Sequence, residues 1–196
     1  MPPDPASPDL LDDPGQDFAL GPGAVLLRGF AEASDRALLA ALAEVLRASP
    51  FRRMTTRGGW RMSVAMTNCG AAGWVSDRAG YRYDPTDPET GRPWPTTPPV
   101  FAEIAARAAE AAGFPAFAPD ACLVNRYAPG ARLALHQDRD ERDLGAPIVS
   151  VSLGLPAVFL WGGPARLAFH GIAPLRDGEH ELTGAVRYNL TFRRAL

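Results

Sequence analysis

The segment Arg187-Tyr-Asn-Leu-Thr-Phe-Arg193 constrains the fold more than any other stretch of the chain. Side chains alternate across a strand, so Tyr188, Leu190 and Phe192 share one face while Arg187, Asn189, Thr191 and Arg193 share the other. The apolar row must pack against something. The polar row either faces solvent or is buried, and a buried row with two guanidinium groups needs an anionic partner, because unpaired buried charge is costly. Five further segments after residue 120 read as strands, at 122–127, 133–137, 148–153, 157–161 and 166–170.

Before this run of strands come two helices. Ser34 is placed to cap a helix over 35–48, with Leu38, Leu39, Leu42, Val45 and Leu46 at helical spacing. Thr97 is placed to cap a second, with Pro98 or Pro99 in its first turn, Phe101, Ile104 and Ala108 on one face, and Gly113 at its end. Helices followed by strands predict an α+β fold, a double-stranded β-helix (jelly-roll) core over 121–196 buttressed by two helices. Residues 18–30 read as two short strands around Gly21-Pro-Gly23, and 1–17, rich in Pro and Asp, read as a disordered tail. A single domain over 18–196 fits the length of 196 residues.

The chemistry concentrates at His136-Gln-Asp138. On a strand these two residues put an imidazole and a carboxylate side by side, two of the three ligands in a facial triad that holds Fe(II) with positions left open. Only His136, His170 and His180 exist, so a second imidazole comes from one of the latter two. His170 ends a strand before a glycine, whereas His180 lies in the polar loop Asp177-Gly-Glu-His-Glu. A dicarboxylate cofactor would satisfy both needs, chelating iron at one end and taking an arginine fork at the other.

Between 51 and 98 the chain changes character: Met54, Trp60, Met62, Met66, Trp74, Tyr81, Tyr83 and Trp94 alternate with Arg52, Arg53, Arg57, Arg61, Arg78, Arg82 and Arg92. Such a mixture either fills core and solvates its arginines, or stacks unpaired bases and holds phosphates as a substrate lid. The net charge of −2 gives no global field for nucleic acid, so binding would rest on this local patch. Cys69 and Cys122, far apart in sequence and with no secretion signal or membrane span nearby, read as reduced, buried thiols of a cytoplasmic protein.

Long stretches of this sequence resemble the AlkB family of Fe(II)- and 2-oxoglutarate-dependent nucleic-acid dealkylases. The likeness is carried by Met62-Ser-Val-Ala-Met-Thr-Asn-Cys-Gly70, Gly73-Trp74, Asn125-Arg-Tyr-Ala-Pro-Gly130, His136-Gln-Asp-Arg-Asp-Glu141, 146–156, Trp161-Gly-Gly, Phe169-His-Gly-Ile172 and 187–193. The resemblance implies that His136, Asp138 and His170 bind iron, that Arg187 pairs with the distal carboxylate of 2-oxoglutarate, and that Asn125, Tyr127, Asn189 and Arg193 complete that pocket. It implies that Trp74 and His136 sandwich a flipped base, with Met66 and Tyr81 nearby, Tyr81 also touching a phosphate, and Asp140 facing the exocyclic amine. Thr56 and Trp60 fall where the family's lid meets nucleic acid, and Glu141 is adjacent to the site. The implied reaction uses Fe(II), 2-oxoglutarate and O2 to demethylate 1-methyladenine and 3-methylcytosine in single-stranded DNA or RNA, by a monomer with no membrane partner.

One departure stands out. Between Leu160 and Trp161 the family runs through about twenty further residues, a hairpin's worth, including a basic loop and an apolar strand. Their loss predicts an unpaired strand edge and puts stability, the position of His170 and DNA affinity in question. Three readings follow: an active dealkylase, a non-catalytic remnant that still binds metal or nucleic acid, and an oxygenase with another methylated nucleic acid or a protein as substrate.

Overall fold

A computed structural model describes residues 17–154 and 157–196. The tail reading at 1–17 therefore falls, except for Asp17, outside the described residues. In chain order the elements are a hairpin of β1 (Phe18–Gly21) and β2 (Ala24–Leu27), helix α1 (Asp35–Ala48), β3 (Ala65–Gly70), a hairpin of β4 (Gly73–Asp77) and β5 (Gly80–Asp84), and helix α2 (Pro99–Ala111). Then follow β6 (Ala121–Tyr127), β7 (Leu133–His136), β8 (Ile148–Leu153), β9 (Ala157–Trp161), β10 (His170–Ile172) and β11 (Arg187–Arg193). Among the described residues, no helix is long and apolar enough to cross a membrane.

Strands β1-β2-β9-β8-β11-β6-β3 form one sheet in that order, antiparallel at every pairing, while β7 pairs with β10 and β4 with β5 in two small ribbons. The alternation expected for β11 holds across the sheet. Val124, Val149, Val151, Leu153, Val158, Leu160, Leu190 and Phe192 point to one face and pack with Leu38, Leu42, Val45, Phe101, Ile104 and Ala108 of the helices. Phe101 meets Phe192 edge to face at 6.1 Å, a geometry that contributes about 0.5–1.5 kcal/mol beyond area burial. The opposite face carries Asn125, Ser150, Ser152, Asn189, Thr191 and Arg193. In register, Asn189 lies between Asn125 and Ser152, and Thr191 between Leu123 and Ser150.

Several local expectations are corrected. Ser34 precedes α1 as read but makes no side-chain cap bond, because its backbone is already helical (φ −107°, ψ −8°) in a short 3-10 turn over Glu32–Ser34. Pro98, not Thr97, stands at the N-cap of α2; its extended backbone (ψ 142°) sets the entry angle. Gly113 just beyond α2 takes φ +83°, the left-handed conformation in which a glycine ends a helix. The segment 166–170 is a turn and loop rather than a strand: a 3-10 turn (Gly163–Ala165) ends just before it, and strand geometry begins only at His170. Cys69 and Cys122 are both free and buried as read, but they face each other directly across β3 and β6. Distance in sequence was no guide, since antiparallel register places them opposite.

The unpaired edge predicted from the shortened chain is not found on β9. Strand β2 covers it, with Ala24 opposite Trp161 and Leu27 opposite Val158. The stretch 51–98 also divides: β3 is an edge strand of the large sheet, and only the loop before it and the β4–β5 hairpin stand over the polar face. Met54, Met66 and Trp94 are buried core, whereas Trp60 is 79% exposed. Arg52 pairs with Asp87 at 2.6 Å, and Arg82 pairs with Asp77 at 2.9 Å, so these two cations are committed within the hairpin region.

Candidate metal centre and its cavity

His136 ends β7 and His170 begins β10, and the two residues are partners in register, so the ribbon brings their rings together, tilted by 54° with 4.3 Å between centroids. Asp138 follows two residues after His136, in the loop between β7 and β8. Its Oδ1 lies 3.5 Å from His136 Nε2 and its Oδ2 lies 3.6 Å from His170 Nε2. One ligand atom from each of the three residues falls within 4.8 Å of the others, the spacing a single ion requires. His180 is elsewhere: its Nδ1 accepts the Leu182 N–H and its backbone bridges Gly184.

Both imidazoles are set by the same local device. His136 Nδ1 donates to the Ala134 carbonyl at 2.9 Å and His170 Nδ1 to the Ala168 carbonyl at 3.0 Å, in each case two residues back. Protons held on Nδ1 leave the Nε2 lone pairs free for a metal. Asp138 is fixed by Arg193, whose Nε and Nη2 donate to Oδ2 at 3.1 and 2.6 Å. Burial works against the Asp138 carboxylate, but Arg193, His136 and His170 outweigh it and hold its pKa far below the usual range. The Asp138 carboxylate in turn raises the His136 pKa, against the opposing effect of burial. The donor set of two imidazole Nε2 atoms and one carboxylate suits Fe(II).

These ligands lie against a cavity of about 940 Å³ that runs between the sheet's polar face and the lid. Of the site residues singled out in the sequence, Thr56, Trp60, Met66, Trp74, Tyr81, Asn125, Tyr127, Asp140, Asn189 and Arg193 line it with the triad. Arg187 does not; it stands behind Tyr127, its guanidinium 5.8 Å from that ring, and borders a smaller cleft of about 290 Å³. Its Nε donates to Ser152 Oγ at 2.7 Å, and burial depresses its pKa with no carboxylate paired to it among the described residues. Burial pushes the Tyr127 phenol up to about 12, so it stays a neutral donor.

Whether these residues suit 2-oxoglutarate can be judged from what they leave unsatisfied. Arg193 Nη1 and Trp161 Nε1 are buried donors without a partner among the described residues, and Asn125 Oδ1 is a buried acceptor without one. Orphaned donors on cavity-lining residues, with an uncompensated Arg187 behind the Tyr127 wall, fit a dianion better than they fit water. Asn189 differs: its amide donates to Ser150 Oγ at 2.8 Å and accepts from Thr191 Oγ1 at 2.8 Å, so it braces the wall of the cavity.

The lid is tied down by named bonds. The Asn68 amide clasps the start of β4, accepting from Trp74 N–H and donating to Trp74 C=O, both at 3.0 Å. Trp74 stacks on Tyr81 at 5.5 Å, and its indole N–H donates to Asp140 Oδ2 at 3.1 Å. Gly73 admits no side chain here, since a Cβ would come within 2.5 Å of the Trp94 ring.

In the sequence Tyr83 counted only among the lid aromatics, Trp161 only within a family motif and Arg166 only as the start of a strand, and Glu141 only as a neighbour of the site. Arg166 is 3% exposed, and it sits in the short connection where the chain departs from the family pattern. A charged residue amid Gly, Pro, Ala and Leu was the available signal. That connection also brings the Trp161 ring to 4.6 Å from His170, which is therefore not displaced from the triad.

The comparisons with known proteins agree. A family model described as the 2OG-Fe(II) oxygenase superfamily matches residues 23–163. Alpha-ketoglutarate-dependent dioxygenase AlkB of Escherichia coli is 54% identical over 198 residues, covering 90% of this chain and 92% of that protein. DNA N(6)-methyladenine demethylase ALKBH1D of Arabidopsis thaliana is 36% identical over 112 residues, 40% of this chain and 25% of that protein. The solved structure of OsALKBH1 aligns with a TM-score of 0.78 at 29% identity, covering 91% of this chain and all of that one. Triad, sheet order and extended identity converge, and the chain belongs to the AlkB family within the 2OG-Fe(II) oxygenase superfamily, whose members depend on Fe(II) and 2-oxoglutarate.

Proposed function

We propose that this chain demethylates alkylated bases, 1-methyladenine and 3-methylcytosine, in single-stranded DNA or RNA, working as a monomeric single domain over 18–196 with a nucleotide-recognition lid drawn from 51–98. One observation carries the reading: a single cavity is lined both by the triad and by Trp74, Tyr81, Met66, Thr56 and Trp60. A base stacked among those rings has its edge directed at the metal ligands, as enzymes acting on flipped bases require.

In this scheme His136, Asp138 and His170 hold Fe(II) through two Nε2 atoms and one carboxylate oxygen. Arg187 and Tyr127 attract the distal carboxylate of 2-oxoglutarate, and the free Arg193 Nη1 and Asn125 amide serve the other end. When bound, Fe(II) with 2-oxoglutarate and O2 supplies the oxidising chemistry, releasing succinate and carbon dioxide and leaving the methyl carbon as formaldehyde. Trp74 and His136 stack the base between them. Asp140 spends Oδ2 on the Trp74 indole and keeps Oδ1 for an exocyclic amine, which suits a cationic methylated base. Tyr81, 52% exposed, is placed to meet a phosphate.

The test is formaldehyde and succinate release from an oligonucleotide bearing 1-methyladenine, with Fe(II) added, in the parent and in His136→Ala. Equal background in both would sink the reading. The remnant alternative rests on the missing hairpin; His170 Nε2 at 3.6 Å from Asp138 Oδ2 supports metal binding in either case, and turnover decides between the two.

A further inference from the structure

Behind the metal ligands lies a buried cluster in which Arg193 is joined by Glu141, Arg166 and Tyr83, three residues that no step above uses. Glu141, Arg166 and Arg193 are 7%, 3% and 6% exposed. Glu141 Oε1 accepts the Tyr83 O–H at 2.7 Å and lies 3.1 Å from Arg193 Nε; Glu141 Oε2 accepts from Arg166 Nη2 at 3.0 Å. Arg166 Nη1 donates to the backbone carbonyl of Asp138 at 2.5 Å, and its Nε to that of Ala146 at 3.0 Å. Asp138 is thus gripped twice, by Arg193 at its carboxylate and by Arg166 at its main chain, and the Glu141 carboxylate ties the two guanidiniums together.

The charge count is two guanidiniums against two carboxylates. Removing the Glu141 charge would leave Arg193 to lean wholly on Asp138 and would add net positive charge beside a cation site. Tyr83 extends the cluster into the lid. It stands opposite Trp74 across the β4–β5 hairpin, and the pair bonds to consecutive residues of the metal loop, Trp74 to Asp140 and Tyr83 to Glu141. A movement of the hairpin on seating a base therefore reaches Glu141, and through Arg193 the ligand Asp138.

We propose that Glu141 is a positioning residue for the metal-ligating carboxylate, and that Tyr83 makes metal affinity depend on whether the lid is occupied. This inference rests on the demethylase reading. Coupling between two sites is reciprocal and is measurable as binding alone.

The experiment titrates Mn(II), a probe for Fe(II), into the full chain with 2-oxoglutarate by electron paramagnetic resonance, with and without a 1-methyladenine oligonucleotide. Thermal melts of the metal-free proteins serve as the folding control. Glu141→Gln keeps shape and loses charge, and is expected to weaken Mn(II) about 10- to 100-fold, as other outer-sphere changes do. In the parent the oligonucleotide is expected to tighten Mn(II) at least about 5-fold, and in Tyr83→Phe that factor should fall towards one. Parent-like Mn(II) affinity in Glu141→Gln overturns the positioning role. An equal oligonucleotide effect in parent and Tyr83→Phe, or none in the parent, overturns the coupling. A parent that binds no Mn(II) at all defeats the demethylase reading, whereas normal demethylation with either negative result defeats only this inference.

Discussion

At the scale of single residues, His136 carries two opposed pH dependences. Its pKa is raised in the folded protein, chiefly by Asp138. A raised imidazole stabilises the metal-free fold most fully below its unfolded value of about 6.5, and that contribution is lost as pH rises through the folded value. Metal binding needs the neutral ring, so proton competition reaches above pH 6.5. Metal-free melting temperature should therefore decline between about pH 6 and pH 8 by an increment absent from His136→Ala, while Mn(II) affinity of the parent climbs over the same interval. A flat Mn(II) affinity across that range would contradict the assignment. Arg187 makes a second case. Lost charge-assisted hydrogen bonds cost about 1.5–3 kcal/mol, so Arg187→Met should raise the KM for 2-oxoglutarate at least about tenfold with little change in melting temperature. An unchanged KM would place the distal carboxylate elsewhere.

At the scale of elements, the β4–β5 hairpin depends on the approach of Gly73 to Trp94. Gly73→Ala puts a methyl within 2.5 Å of that ring and within 2.8 Å of Asn68 Cβ, and Asn68 is the residue that clasps Trp74. Overpacking of this kind costs about 1–3 kcal/mol. The variant should melt earlier and bind a methylated oligonucleotide more weakly while retaining Mn(II), which calorimetry on both ligands would separate. The hairpin was legible as a lid only through its aromatic content, because strand pattern alone does not tell which ribbon joins the main sheet. Strand β3 looked like part of the same stretch, yet its pairing with β6 puts it in the large sheet.

At the scale of the whole molecule, binding at one site stabilises everything that unfolds with it. A ligand at 100 times its Kd adds about 2.7 kcal/mol, worth roughly 5–10 °C for a chain of this size. Mn(II) with 2-oxoglutarate should give such a shift in the parent, and His170→Ala should show none while keeping the parent's metal-free melting temperature within a few degrees. Loss of the metal-free fold in that variant would instead mean that the β7–β10 ribbon depends on His170. The larger of the two core clusters lies on the far side of the sheet, against the helices. Leu38→Ala, at a fully buried site, should cost about 2–5 kcal/mol and lower the melting point without altering the metal titration.

Local alternation and spacing determined much of this protein. The two faces of β11 and the helix over 35–48 follow from side-chain direction along a strand or helix, a property each segment carries by itself; the His136–Asp138 pair was legible as a motif, but Asp138 lies in the loop beyond β7 and not on the strand expected. Tertiary structure alone decided the rest, because it depends on pairing between distant segments. Register set His170 opposite His136 and Cys69 opposite Cys122. Strand β2 closed the edge that a shortened chain was expected to expose. Packing drew Tyr83, Glu141, Arg166 and Arg193 from four parts of the chain into one buried charge cluster, where each group is tolerable only because the others are present.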